Sequence, residues 1–426
     1  MNNKIVAAII IIILVVAAVG AGAYFLSQNN SKNNEINVIS AVNTNGSGIY
    51  IDPAKADKDH MFILDETDHE MTVDATCAPY WNNLVFGTPG LSTIQHVQLL
   101  TLVTSMGMDF VLYQAGSSND APNTVYYVPG VANADLALSD TNSYLDGGIL
   151  WQPQFQKIVA GDTRFVELVL TGEVWPGHAC CCIAGSNSYL TSNSDQVVSF
   201  LAAYVQAVNW VNTALTYGDP TSPNYNPAYD KDYAWLVQEG QSLAGSGFTP
   251  DVIKESLRTV TYTYGDSSNP GTPLDTLTGQ IATLTDQLES LGKGKVLNNT
   301  LSDLGFKNST AFANKFVNGD YLAQALQLVA SGTPPSPSSD LANITVAVIA
   351  GDIHQIAVHV AQDLPENLGG GQGGGFFGEY GLNVTFSPQT NGPGVATAIQ
   401  NGNSVLGVMG APPITITVIN GELVTA

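Results

Sequence analysis

The segment from Asn343 to Ala426 alternates strands and helices in a way that demands partners elsewhere in the chain. I-T-V-A-V-I at 344–349 reads as a buried strand, G-D-I-H-Q-I-A-V-H-V-A-Q at 351–362 as a helix, and G-L-N-V-T-F at 381–386 as a second strand. N-G-P-G-V-A-T-A-I-Q-N-G at 391–402 starts as a Gly/Pro-opened helix, and V-L-G-V-M-G at 405–410 is a third strand. Such a βαβαβ unit ordinarily begins an α/β domain. Ile36, by contrast, opens directly on strand material, I-N-V-I-S-A-V-N and then G-I-Y-I, which needs such a unit before it. One domain, cut open and rejoined, accounts for both ends.

With 426 residues, 44% of them hydrophobic and 12% charged, the chain can bury a large core. Its 36 acidic residues against 13 basic ones, a formal charge of −23, argue against a nucleic-acid partner, because phosphate repels such a surface. Ile5 to Leu26 carries no charge and follows Lys4. At about 1.5 Å per residue that run spans the roughly 30 Å of a bilayer core. Lys4 inside and the polar stretch Ser27–Asn34 outside orient the body outward. The expectation is an N-terminal transmembrane helix anchoring the protein at the extracellular face of the membrane. A small-residue site at Ala21-Gly22-Ala23 leaves open a cleaved signal and a secreted product.

Along the body, 92–106 is an amphipathic helix for which Ser92 is the expected N-cap. Longer helices are expected over about 194–215, 233–244, 250–259 and 274–291, and strands at 110–113, 149–155 and along the run after Val174. Residues 331–340 form a Pro/Ser-rich linker. The glycine-rich run 369–375 follows no strand, so it reads as a surface loop and not as a phosphate cradle.

The motifs F-F-G-E-Y-G-L-N-V-T, N-G-P-G-V-A-T-A-I-Q-N-G, G-A-P-P, G-S-G-I-Y-I, F-G-T-P-G-L-S-T-I-Q-H, G-G-I-L-W-Q-P-Q and E-V-W-P-G-H occur in this sequence. Read from Asn343 to the end and then on from Ile36, their series resembles the nitrate/sulfonate/taurine-type solute-binding proteins of ABC importers, a group that also contains thiamine-pyrimidine synthases. The resemblance implies a two-lobed α/β fold of the periplasmic-binding-protein-like kind (type II), here circularly permuted. Its expected divisions are 1–35 for the anchor and linker, 36–86 for part of lobe I and the hinge, and 87–173 for lobe II. Residues 174–330 then return through the hinge into the helices of lobe I, 331–342 are the linker, and 343–426 form the first unit of lobe I. It further implies a small anionic or zwitterionic solute (of the sulfonate, taurine, nitrate, bicarbonate or thiamine pyrimidine class), ABC permease subunits as partners, no cofactor and no catalysis. Rival readings are an enzyme like the thiamine-pyrimidine synthases, whose cofactor-binding lysine has no match here, and a non-transport surface protein.

In such a fold the ligand sits where strands end and helices begin, and helix N-termini with free N–H groups favour a small anion. The corners in question are G-A-P-P with Ala411 and Pro412, N-G-P-G with Asn391 and Gly392, and G-T-P-G-L-S-T with Leu91, Ser92 and Thr93. Ser47 belongs to G-S-G-I-Y-I. Asp352 and His354 follow the first strand of the 343–426 unit, where His354 would donate to an oxyanion and Asp352 would fix its tautomer or meet a cation, the plain alternative being a capping Asp and a partly buried helix His. Trp151 and Trp175 are candidate aromatic walls. Strand alternation along His178-Ala-Cys-Cys-Cys182 would set His178, Cys180 and Cys182 on one face, a set suited to a soft metal ion or to a plain buried core.

Overall fold

The computed structural model describes residues 35–139, 144–161, 163–265, 274–291, 294, 296–332, 341–371, 374–421 and 423–424. The apolar N-terminal run, most of the Pro/Ser linker, Gln372 and Ala426 lie outside these residues. Among the described residues no helix is long and apolar enough to cross a membrane.

The strands in chain order are β1 (Ile36–Asn45), β2 (Ser47–Ile51), β3 (Ile63–Leu64), β4 (Met71–Thr72), β5 (Val85–Thr88), β6 (Asp109–Leu112) and β7 (Thr124–Pro129). They continue with β8 (Gly147–Trp151), β9 (Val166–Leu170), β10 (Ala179–Ser186), β11 (Val260–Tyr262), β12 (Ala342–Ile349), β13 (Leu382–Gln389) and β14 (Leu406–Gly410). Two six-stranded mixed sheets result. The first has the order β11-β1-β10-β14-β12-β13, the second β6-β7-β5-β8-β2-β9, and β3 pairs with β4 in a small hairpin. β12 runs parallel to both β13 and β14, while β10 is antiparallel to both β1 and β14. The sequence pattern explains these positions: β1 and β10 are rich in small and β-branched residues and are buried along nearly their whole length, as central strands must be.

Helices cover both sheets. The ones that matter below are α1 (Ile94–Ser105), α2 (Ser194–Thr213), α3 (Asp230–Ala244), α4 (Pro250–Arg258), α5 (Asp275–Ser290), α6 (Ile356–Asp363), α7 (Gly392–Gln400) and α8 (Ala411–Asn420). One large apolar core surrounds the first sheet, and two smaller ones flank the second sheet, so each lobe has its own hydrophobic support. Tyr204 on α2 fastens that helix to the first sheet, its hydroxyl 3.3 Å from the carbonyl of Val42 and 3.0 Å from that of Thr263.

The chain passes from the first sheet to the second between Asn45 and Ser47, at Gly46 with φ of +90°, and comes back through the segment 171–178. Residues 47–86, expected in the first lobe and hinge, therefore supply β2 and β5 to the second sheet. The reason is that one left-handed glycine turns the strand out of the first sheet far earlier than the apolar pattern suggests. Thr93, not Ser92, caps α1: its Oγ1 accepts from the His96 N–H at 3.3 Å, while Ser92 lies one residue before the cap.

Candidate functional site

β12, β13 and β14 are neighbours and parallel, with β12 in the middle. The first crossover therefore leads to one side and the second to the other. At such a reversal the loops beyond the strand ends splay apart and leave a crevice. Asp352 and His354 follow β12, Asn391 follows β13, and Gly410 closes β14 and begins α8. From the second sheet, the loop after β5 brings Thr93 and the start of α1 to the same crevice, and β8 ends there with Trp151.

Together these residues line a cavity of about 40 Å³ bounded by Thr93, Ile94, Gln95, Trp151, Cys180, Cys181, Ile349, Asp352, His354, Asn391, Gly392, Gly410 and Pro413. That is room for a few water-sized groups. Three helices point their N-termini at it. On α1, the N–H groups of Ile94 and Gln95 have no partner within the helix. On α7, Asn391 Oδ1 accepts from the Gly394 N–H at 2.9 Å, and Pro393 occupies the first turn, where its missing N–H costs nothing. On α8, Pro412 and Pro413 likewise sit in the first turn and are buried. The starts of α7 and α8 touch: a Cβ on Gly392 would meet Pro413 Cγ at 2.7 Å, so only glycine fits there. The indole of Trp151 adds a fourth donor, since its Nε1 is buried and has no hydrogen-bond partner.

The buried pair behind the cavity is more committed than the sequence suggested. His354 Nδ1 lies 2.9 Å from Asp352 Oδ1, and its Nε2 lies 2.8 Å from the Gly46 carbonyl. Both partners are acceptors, so both ring nitrogens donate and the imidazole is charged. Burial alone would push its pKa down; the Asp352 carboxylate, the Cys180 thiol and the Gly46 carbonyl override this and raise it to about 9. Having spent both N–H groups, His354 has none for an oxyanion, contrary to the expectation above. Asp352 is held in turn by Gln355, whose Nε2 donates to Oδ2 at 3.3 Å.

The alternation expected along 178–182 also fails. Opposite β1, residue pairing jumps from Asn43–Cys181 to Thr44–Ala179, leaving Cys180 as an extra residue in a β-bulge. The bulge brings Cys180 and Cys181 Sγ to 4.0 Å of each other. These two thiols and His354 have ligand atoms within 4.8 Å, while His178 and Cys182 are not part of the group. A charged imidazole has no lone pair for a metal, so this cluster does not suit one as arranged. The neighbouring thiol holds Cys180 down at about 7, and burial pushes Cys182 up.

His178 and Ala411 line a second, larger cavity of about 590 Å³ between the two sheets, walled by Ile94, Val97, Val174, Trp175, Ile281 and Leu284 among others. Ile94 belongs to both cavities. His178 Nδ1 donates to the Trp175 carbonyl at 2.8 Å, which leaves Nε2 a bare acceptor, buried and without a partner. Burial holds this ring neutral, with a pKa lowered to about 4. Gln98 Oε1, in the same wall, is likewise buried and unpartnered, and Glu70 supplies a carboxylate. Among the described residues no lysine lines either cavity.

Of the remaining candidates, Ser47 is buried and accepts from Gln95 Nε2 at 3.0 Å, and Leu91 is exposed away from both cavities. Sequence reasoning missed Gln95, Gln98 and Gln355. Their signal is a buried amide in an otherwise apolar helical stretch, which the 3.6-residue pattern reveals only when the partner elements are known.

Residues 2–217, half of the chain, match the NMT1-like family. The chain belongs to that family. A similar solved structure is that of the periplasmic nitrate-binding protein NrtA from Synechocystis PCC 6803, with 14% identity, 72% of each chain covered and a TM-score of 0.44. No curated protein matches. The sequence resemblance and the NMT1-like assignment thus agree.

Proposed function

We propose that the protein is an extracellular solute-binding protein that takes up a small zwitterion between its lobes and presents it to an ABC importer. The observation that carries this reading is the donor set of the small cavity: the N–H groups of Ile94 and Gln95 at the start of α1, that of Gly392 at the start of α7, and the Trp151 indole. Helix N-termini carry about half a positive charge each and suit an anionic head. The Asp352–His354 pair adds no net charge, so the selectivity for an anion falls to the backbone.

The larger cavity has the opposite chemistry. In its wall Glu70, Gln98 Oε1 and His178 Nε2 are acceptors open to an amino group, beside threonine and glutamine side chains such as Thr101 and Gln287. A solute with an anionic head in the small cavity and an amino group in the larger one satisfies both, which favours the taurine-like aminosulfonate class over nitrate or bicarbonate. Thermal-shift measurements with taurine, simple alkanesulfonates, nitrate and bicarbonate test this. Ligand at about 100 times Kd adds roughly 2.7 kcal/mol of stability, a readily measured rise in Tm. Taurine and its homologues should stabilise most. Stabilisation by none of these solutes would remove the solute-binding reading, and stabilisation by nitrate alone would remove the zwitterion.

Closure of the two lobes about Gly46 and the 171–178 return is the accompanying mechanism, driven by higher affinity for the closed arrangement. The enzyme alternative is the weaker reading, because among the described residues no lysine lines either cavity and the imidazole of the Cys180–Cys181 cluster is fully hydrogen-bonded.

Two further readings belong with this proposal. The 343–426 segment is read as the displaced first unit of lobe I, supported by the way β12, β13 and β14 complete a sheet begun by β1. A gene rearranged to run from 341 to 424 and then from 36 to 332 should yield a folded chain with the same solute preference; an unfolded product counts against the permutation. The apolar run 5–26 is read as an outward-orienting anchor, which protease accessibility of the body on intact cells checks.

A further inference from the structure

On the helical layer of the first sheet, three side chains that the solute site does not use converge. His359 and Asp363 stand one turn apart on α6, four residues from each other and so on the same face. Glu239 comes from α3, which packs across α6. Each of the three offers a ligand atom within 4.8 Å of the other two. The neighbouring Gly240 lets α4 pack closely on α3, since a Cβ there would meet Ile253 Cγ2 at 2.8 Å.

The group is unbalanced as it stands. Nε2 of His359 is buried and has no hydrogen-bond partner. Burial pushes the Glu239 carboxyl up to about 7, with repulsion from Asp363 adding to it, and burial also raises Asp363; no cationic side chain among the described residues offsets either. The ring is neutral, because burial lowers it to about 4, so it keeps a lone pair. Phe386 packs against it with ring centroids 4.7 Å apart and fixes its orientation. Asp363 lies at the exposed edge and leaves a way in from solvent.

We propose that Glu239, His359 and Asp363 form a binding site for one divalent ion of the zinc class, with water completing the coordination. One imidazole nitrogen and two carboxylates brought together by two packed helices are a ligand set for such an ion, and its charge answers both carboxylates at once. The contrast with Cys180, Cys181 and His354 is one of lone pairs: there the imidazole has none to give, whereas His359 has one and lacks a partner. The ion would tie residues 356–363 to residues 230–244 and so clamp the C-terminal segment onto the earlier part of the chain.

The test is zinc titration of the chelator-stripped full-length protein, followed by calorimetry and by thermal melting. One ion per chain is expected to bind and to raise Tm. Asp363→Asn and Glu239→Gln should each weaken binding at least tenfold, and the metal-free variants should melt no lower than the metal-free parent, because each removes an unpaired carboxylate. Cys180→Ser with Cys181→Ser should leave zinc binding unchanged. Since Asp363 is exposed, its variant has no reason to misfold. Absence of zinc binding at 100-fold molar excess, binding that survives Asp363→Asn and Glu239→Gln, or binding lost only with the two cysteines would each overturn the proposal.

Discussion

The His354 imidazole donates to the Gly46 carbonyl across 2.8 Å, joining residues 308 positions apart in the sequence. The same carbonyl accepts the Gln152 N–H at 2.9 Å, so one backbone oxygen at the crossing between the sheets is held from both lobes. Gln152 extends the link, accepting from Ser256 Oγ at 3.0 Å and donating to Thr259 Oγ1 at 3.0 Å. The crossing is therefore fastened by polar contacts from both sheets.

His354→Gln should destabilise the protein by about 3–5 kcal/mol, because Asp352 is left buried without its cation. The double variant with Asp352→Asn should recover much of this. Denaturant unfolding of the three proteins measures it, and equal stability of single and double variants would contradict a buried ion pair.

Gly46→Ala should be costly for a separate reason. Its φ of +90° disfavours any side chain, and a Cβ would lie 2.2 Å from His354 Nε2. A loss above about 2 kcal/mol is expected, from left-handed strain together with the broken contact. Tm and solute affinity should fall together, since both depend on the crossing.

Stability should pass through a maximum near neutral pH. The folded pKa of His354, about 9, is above its unfolded value near 6.5, so its contribution is complete below pH 6.5 and is lost as pH rises towards 9. His96 and His178 are lowered to about 4 by burial, so their neutral forms stabilise the fold above pH 6.5, and this is lost as pH falls towards 4. Each shift amounts to roughly 3 kcal/mol at 1.36 kcal/mol per pKa unit. Melting curves between pH 4 and 10 should show declines on both sides, and the alkaline decline should vanish in the His354→Gln, Asp352→Asn double variant.

Trp151→Phe separates binding from folding. The indole N–H has no partner in the unliganded protein, so stability should change by less than about 1 kcal/mol. A hydrogen bond to a charged head is worth about 1.5–3 kcal/mol, and affinity should fall tenfold or more. Isothermal titration and unfolding curves on the same preparation show whether the two effects part.

Asn391→Ala should do both moderately. Losing the cap costs about 1 kcal/mol of stability, and α7 then presents a frayed terminus to the cavity. A variant as stable as the parent would mean the capping bond at 2.9 Å contributes nothing.

The helices were legible because their apolar spacing, their caps and the Gly/Pro starts at 391–394 and 410–413 are local signals. The corner at Asp352 and His354 was legible as a strand–helix junction, but the use of both imidazole nitrogens was not, since Gly46 is over three hundred residues away. Cys180 defeated the period-two reading because a bulge is set by the register against β1, which the sequence of β10 alone does not contain. Thr93 displaced Ser92 as the cap because two adjacent hydroxyl residues are equivalent until the helix axis is known. Gln95, Gln98 and Gln355 were hidden by the same logic: an amide on an apolar face looks like noise until its cavity exists.

The pairing of β10 with β14, from Cys181 opposite Gly410 to Gly185 opposite Leu406, sets a timetable for the newborn chain. Every strand of the second sheet lies between residues 47 and 170, so that lobe has all its material early. The first sheet has a gap at its centre until residues 406–410 arrive, and only then can β1 and β10 meet β12 and β13 across it. A ribosome or an export channel delivering the chain from its N-terminus would thus release a finished second lobe beside a half-built first one, whose apolar strand edge stays bare until residues 406–410 emerge.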